Sequence, residues 1–115
     1  MRIYNPSTAD DWKVRVAAHA HAAIAKPMQG SVRVAMWFEM RRPASHRTAA
    51  GAVRPTAPTS HQQKPDVDNL AKAVLDALNG IAFADDSQVG ELIVGKRWAD
   101  GEPRCILTLE EIRAA

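Results

Sequence analysis

The segment Lys64 to Gly80, KPDVDNLAKAVLDALNG, leaves a chain of this size little freedom. Leu70, Val74, Leu75 and Leu78 recur at spacings of three and four, the period of a helix with one apolar side. Pro65 holds the approach to it. Asp68 is placed to cap the first turn, because a carboxylate there accepts from a free backbone N–H. Asn79-Gly80 supplies the stop. The reading is a short helix with two carboxylates, Asp66 and Asp68, at its mouth and an underside that must be buried against another layer.

That other layer is predicted to be a sheet. After Gly30, the run SVRVAMWFEM alternates Val32, Val34, Met36, Phe38 and Met40 with Arg33, Ala35, Trp37 and Glu39, so one face of a strand near 31–40 belongs to the core. Trp37 lies on the polar face, where it can stack on DNA or cover a helix or subunit contact. Further strands are expected near 88–98 and 104–112, and the DGEP turn between them predicts that these two form a hairpin. A second helix opens at Pro6: Ser7 or Thr8 can cap it, and Asp10 and Asp11 suit the positive end of its dipole. Trp12, Val16, His19 or Ala20, and Ala23 or Ile24 carry it to Lys26-Pro27. Met1 to Asn5 reads as the tail of a strand. The 115 residues, 46% of them hydrophobic, supply one core and not two. The expected fold is α/β (α+β), a small mixed β-sheet with two packed helices in a single domain over 1–115.

The polar side of the motif helix admits two readings. Asp68, Lys72 and Asp76 recur every four residues and share one stripe. One reading is a surface ladder of ion pairs, worth ~0.3–0.5 kcal/mol each. The other begins from the acidic pair Asp85-Asp86, which follows the apolar IAFA. Four aspartates, Asp66 and Asp68 before the helix and Asp85 and Asp86 after the turn that follows it, can converge on one spot, and hard divalent cations prefer carboxylate oxygens. No cluster of His or Cys accompanies them, which excludes an ordinary zinc site. His19 and His21 read as plain helix residues. An EF-hand loop fails because Leu70 and Ala71 fall where it needs a ligand and a glycine. What remains is a site for Mg²⁺ or Mn²⁺ of the kind used on phosphates.

KPDVDNLAKAVLDALNG followed by ADDSQVGEL closely resembles the signature of the RusA family of Holliday-junction resolvases, with the specific part between Lys64 and Val89. The resemblance implies a Mg²⁺-dependent endonuclease acting as a homodimer on branched DNA, the four-way junction above all. It implies that Asp66, Asp68 and Asp86 are metal-binding catalytic residues, with Asp85 a further candidate ligand, and that Lys72 is catalytic. Asp76 would support Lys72 by an i,i+4 pair. Family members carry a further strand before the position of Arg2, and this sequence begins almost where that strand should end. Two other functions fit the same residues: a non-catalytic phage protein that binds DNA junctions, and a nuclease for flaps or forks in packaging or repair.

From Arg41 to Gln63 the pattern collapses into a proline-containing, small-residue loop with little expected fixed structure. Arg41, Arg42, Arg47, Arg54 and then Lys64 carry positive charge, and no acid occurs from Met40 through Pro65. A basic loop leading into an acidic site offsets the repulsion between aspartates and phosphates, so these residues are the expected DNA contacts, with His46 and His61 as weaker ones. The plain alternative is a solvated linker. Lys96 can be a phosphate contact or a solubility residue. Glu91 and Lys96 are five apart, so the acid-x-Lys element of restriction-type nucleases is absent. The net charge of +2 favours an acidic partner only mildly. A lone Cys105 excludes an intrachain disulfide and suits a reducing compartment, no run approaches the ~20 apolar residues of a membrane span, and a signal-peptide pattern is lacking, so a cytoplasmic location in a bacterial or phage-infected cell is expected.

Overall fold

A computed structural model of the chain describes residues 8–113. The expectation of a strand tail at 1–5, and Ser7 as a possible cap, lie outside the described residues.

Helix α1 spans Ala9–Ala23 and is opened by Thr8. The Thr8 hydroxyl accepts from the Asp11 N–H at 3.2 Å, and the Thr8 N–H donates back to the Asp11 carboxylate at 3.3 Å. Trp12, Val16 and Ala20, four apart, are its buried stripe. The helix stops three residues short of Lys26: Ile24 is extended, donates its N–H to Ala20 O, and packs on the core instead of continuing.

Strand β1, Val32–Met40, follows the predicted alternation. Val32, Val34, Met36 and Phe38 are wholly buried and Met40 nearly so. Phe38 meets the Trp12 indole edge to face at 5.4 Å, which ties α1 to the sheet.

Helix α2, Val67–Leu78, buries Leu70, Ala71, Ala73, Val74, Ala77 and Leu78. It begins two residues earlier than the sequence implied. Asp66, not Asp68, occupies the cap position, and its side chain makes no capping bond. Asp68 sits inside the first turn, where the positive end of the helix dipole still favours its charge. The helix ends as expected: Asn79 donates to Leu75 O, and Gly80 turns the chain at φ +78°, a conformation other residues rarely adopt.

Strand β2, Val89–Trp98, and strand β3, Arg104–Glu111, complete a three-stranded mixed sheet in the order β2-β1-β3. The expected hairpin between β2 and β3 is therefore not formed. β1 lies between them, parallel to β2 and antiparallel to β3. The parallel pair needs a long crossover, which the chain through α2 provides. Residues 99–103 then step across the end of β1, held by the Ala99 N–H on Met40 O at 2.7 Å. Two strand spacings are ~9.5 Å, within reach of five residues, so a turn-like sequence suffices for the step. β1 has the most regular alternation and takes the centre, where both of its edges are paired.

Both helices pack on one face of the sheet, where the core lies. The opposite face carries the other half of each alternation in four rows across the strands: Glu91–Arg33–Glu110, Ile93–Ala35–Thr108, Gly95–Trp37–Ile106 and Arg97–Glu39–Arg104. Arg33 pairs with both Glu91 and Glu110, and Glu39 with both Arg97 and Arg104. The Arg104 guanidinium holds the Glu39 carboxyl below the ordinary carboxylate range, and Arg33 does the same for Glu91. On the core side, Cys105 borders a largely apolar cleft of about 600 Å³ between α1 and β3, and burial pushes its thiol up to about 12.

Candidate active site

The carboxylates of the motif are not consumed by the fold. Among the described residues, Asp66, Asp68, Lys72, Asp76 and Asp86 form no side-chain hydrogen bond and no ion pair. The ion-pair ladder that their spacing allows is thus not made, and Asp76 does not clamp Lys72. Charged groups left unsatisfied along α2 and in the turn that follows it are available to something outside the chain.

Two adjoining depressions collect them. A cleft of about 430 Å³ between α2 and β2 is lined by Asp68, Lys72 and Asp86, with Ala71, Leu75, Leu92 and Val94 as apolar walls. A groove of about 450 Å³ on the other side of α2 takes in Asp66, Asn69, Lys72 and Asp76, with Lys64 before the helix and Asp10 and Lys13 from α1. Lys72 borders both. The structure therefore brings Asp68, Asp86 and Lys72 to one cleft and sets Asp66 in the neighbouring groove. Among the described residues no group of three acidic, His or Cys side chains is gathered to hold a metal ion. The donor chemistry nonetheless fits a hard divalent cation, which typically takes only one or two carboxylates and keeps several waters for exchange with phosphate.

Asp85 is engaged elsewhere. Its carboxylate accepts from the Ser87 N–H at 3.0 Å and caps a short 3₁₀ turn at Asp86–Gln88. Hydrogen bonds from the Ser87 hydroxyl and backbone hold it below the ordinary carboxylate range. Asp86 is left as the member of the pair that faces the cleft.

Two residues position the site in ways the sequence does not signal: Gln88 draws no reading at all, and Lys96 stands there as a phosphate contact or a solubility residue. Gln88 accepts from the N–H groups of Ala84 at 2.8 Å and Asp85 at 3.3 Å, and its amide donates to Met28 O at 3.1 Å and Gly30 O at 2.9 Å. It fastens the Asp86 turn to the segment before β1. Gln88→Ala removes all four bonds; at about 1 kcal/mol for a typical net hydrogen bond, with partial replacement by water, the fold should lose ~2–3 kcal/mol. Urea unfolding measures that loss, and Gln88→Glu, which keeps the acceptor but not the donor, should fall between. The second is Lys96. Its ammonium donates to Gln63 O at 2.6 Å and Pro65 O at 3.0 Å, anchoring the backbone that leads through a cis Lys64-Pro65 bond to Asp66.

The basic segment is irregular but not loose. Arg42 donates to Pro58 O at 2.9 Å and lies 5.1 Å from the centre of the Trp98 ring, which His46 and His61 also contact. Arg47 donates to Gly51 O and Asp100 O, and Arg41 pairs with Glu102. These arginines hold the segment against the end of β2, whereas Arg54 and Lys64 have no side-chain partner among the described residues. His61 is buried against Trp98, and burial, with Lys96 nearby, pulls its pKa below the ordinary value. The unfolded chain then binds the proton more readily, so stability rises with pH from the depressed folded value up to the ordinary ~6.5. Denaturant midpoints at pH 5 and 7.5 should show this rise, and His61→Phe should flatten it.

The model of a known family, Endodeoxyribonuclease RusA, matches residues 1–110 of this chain. A Bacillus subtilis (strain 168) protein named "Uncharacterized protein YqaN" is 45% identical over 64 residues, a match that takes in 56% of this chain and 40% of that protein's length.

Proposed function

Because the chain belongs to the RusA endodeoxyribonuclease family, we propose that it hydrolyses phosphodiester bonds in branched DNA, the four-way junction in particular, with Mg²⁺ or Mn²⁺ as cofactor. The observation that carries this reading is the cleft where Asp68, Asp86 and Lys72 meet without protein partners.

Asp68 and Asp86, with Asp66 from the adjoining groove, are the residues that would hold the ion. A bound divalent cation supplies Lewis-acid polarisation of a phosphate oxygen and a water of lowered pKa. The chain's own part is positioning and charge. Lys72 brings a positive charge to the cleft wall, where it can stabilise negative charge developing on the phosphate. Leu75, Leu92 and Val94 keep one side of the cleft apolar, which strengthens each electrostatic contact within it. No side chain needs to attack phosphorus, so the absence of a Ser or Cys nucleophile at the cleft is consistent with this chemistry. Arg54 and Lys64 are the best-placed cations of the basic segment for the DNA backbone, and Arg41, Arg42 and Arg47 add to the same field while holding the segment in place. No described helix is long and apolar enough to cross a membrane.

The test is cleavage of a synthetic four-way junction, a 5′ flap and a linear duplex of the same sequence, each with Mg²⁺ and with EDTA. Junction cutting in Mg²⁺ alone is the expected result. Tight junction binding with no cutting would replace this reading with a binding protein, and faster flap cutting would move the substrate.

A further inference from the structure

We propose that Lys13 of α1 holds the phosphate next to the scissile one on the same DNA strand, so that the strand crosses α2 from the cleft of Asp68 and Asp86 into the groove between α1 and α2. The proposal rests on the nuclease reading and adds to it a contact residue and a path.

The groove of about 450 Å³ gathers lysines from three separate segments: Lys13 from α1, Lys64 from the approach to Asp66, and Lys72 from α2. Trp12 is buried in the core, and Lys13, one position on and about 100° round the helix, is exposed and lines the groove. The facing wall is one side of α2, carrying Asn69, Lys72, Ala73 and Asp76 at spacings of three and four. Local ion pairs could have occupied these lysines. Asp10 lies three residues before Lys13, and Asp76 four after Lys72, spacings that allow pairing on a helix. Neither pair is made, and among the described residues Lys13, Lys64 and Lys72 have no side-chain ion pair.

Lys72 sets the direction of the path, because it borders both depressions. A strand whose reacting phosphate lies in the cleft beside Lys72 has only the polar side of α2 to cross before it meets the wall that α1 provides. Lys13 is the cation on that wall. Three acids share the groove, Asp10, Asp66 and Asp76, so by count it is neutral and does not gather loose anions. Its lysines act instead by contact with a strand already held at the cleft. With Asp66 committed to an ion, they outnumber the remaining acids three to two. A lysine is suited to this task, since its ammonium is a point charge on a flexible stem that can follow a phosphate.

Lys13→Ala in the full chain tests the contact by junction binding over a salt series in EDTA, and by steady-state cleavage in Mg²⁺. The slope of log affinity against log salt should become shallower by ~0.9, the share of one phosphate. KM should rise about tenfold or more, the scale of a charge-assisted hydrogen bond, with kcat within about twofold, because Lys13 touches the strand and not the reacting group. Lys13→Arg should keep the wild-type slope. Lys26→Ala, at an exposed lysine beyond the other end of α1 and outside both depressions, should change nothing. A junction with an uncharged methylphosphonate at one of the two linkages flanking the cut should cost the wild type what Lys13→Ala costs, and cost that variant nothing further. Urea midpoints should match wild type throughout, and Lys13→Gln carries the same expectations if Lys13→Ala does not fold. An unchanged slope and KM, an equal loss in Lys26→Ala, or methylphosphonate losses that add in full to those of the variant at both linkages would each overturn the contact. A wild type that binds the junction and cuts nothing overturns the nuclease reading, while the salt slopes still decide whether Lys13 meets a phosphate.

Discussion

Asp68→Asn and Asp86→Asn should each lower Mg²⁺-dependent cleavage by at least ~10²–10³-fold, the scale of losing one electrostatic stabiliser at a reacting phosphate. Asn keeps the shape of Asp and removes the charge a hard cation needs. Junction binding in EDTA should stay equal or tighten, because unpaired carboxylates repel phosphate and the substitution removes that repulsion. Stability should change little, since neither carboxylate has a protein partner among the described residues. Asp66→Asn should behave alike, because Asp66 is the third residue proposed to hold the ion. Lys72→Ala should lose most cleavage while metal binding, followed by Mn²⁺ titration, persists. Asp85→Ala provides the contrast: the Asp85 carboxylate caps a turn, so the expected loss is of stability, about 1 kcal/mol, with only an indirect effect on rate. Near-normal cleavage by the Asp68 and Asp86 variants would remove the site.

Phe83→Ala should be the most destabilising single change near that site. Phe83 is wholly buried, and its backbone joins two bridges, to Met28 and to Asn79. Its carbonyl accepts from the Gly80 N–H at 2.7 Å. The ring thus pins the turn between the end of α2 and the Asp86 loop to the core. Truncating a buried Phe to Ala typically costs 3–5 kcal/mol, against a total of ~5–15 kcal/mol for an ordinary domain. Thermal melts should show a fall of many degrees, and cleavage should fall even where the variant remains folded, because Asp86 follows closely in the chain. Phe83→Leu keeps most of the volume and should cost under ~1.5 kcal/mol with activity retained. An unchanged melt for Phe83→Ala would mean that the turn does not depend on the core.

The elements of this fold were legible because each declares itself locally. The period of Leu70, Val74 and Leu78 and the Asn79-Gly80 stop identify α2, and the alternation from Val32 to Met40 identifies β1. Their arrangement was not legible. The DGEP turn reads as a hairpin, yet the same residues can step across a strand, and only the pairing of β1 on both edges decides between the two. The acidic residues stood out by type and spacing, but not how they divide between the two sides of α2, which depends on the rotation of the helix against the sheet. Gln88 and Lys96 act through backbone carbonyls far away in the chain, and no side-chain pattern encodes those. The charge rows across the sheet appear only once the register of three strands is known.

The raised pKa of Cys105 has a practical side for anyone who wishes to watch this protein at work. At pH 8 a thiol pushed that far up by burial is almost wholly protonated, whereas a solvent-facing thiol of ordinary pKa is ionised in roughly a quarter of molecules. Maleimide dyes attack the thiolate. A cysteine introduced on the surface, for instance at the exposed Ser60, should take up label well ahead of the native one, so the wild-type background serves for fluorescence work without first removing its own sulfur.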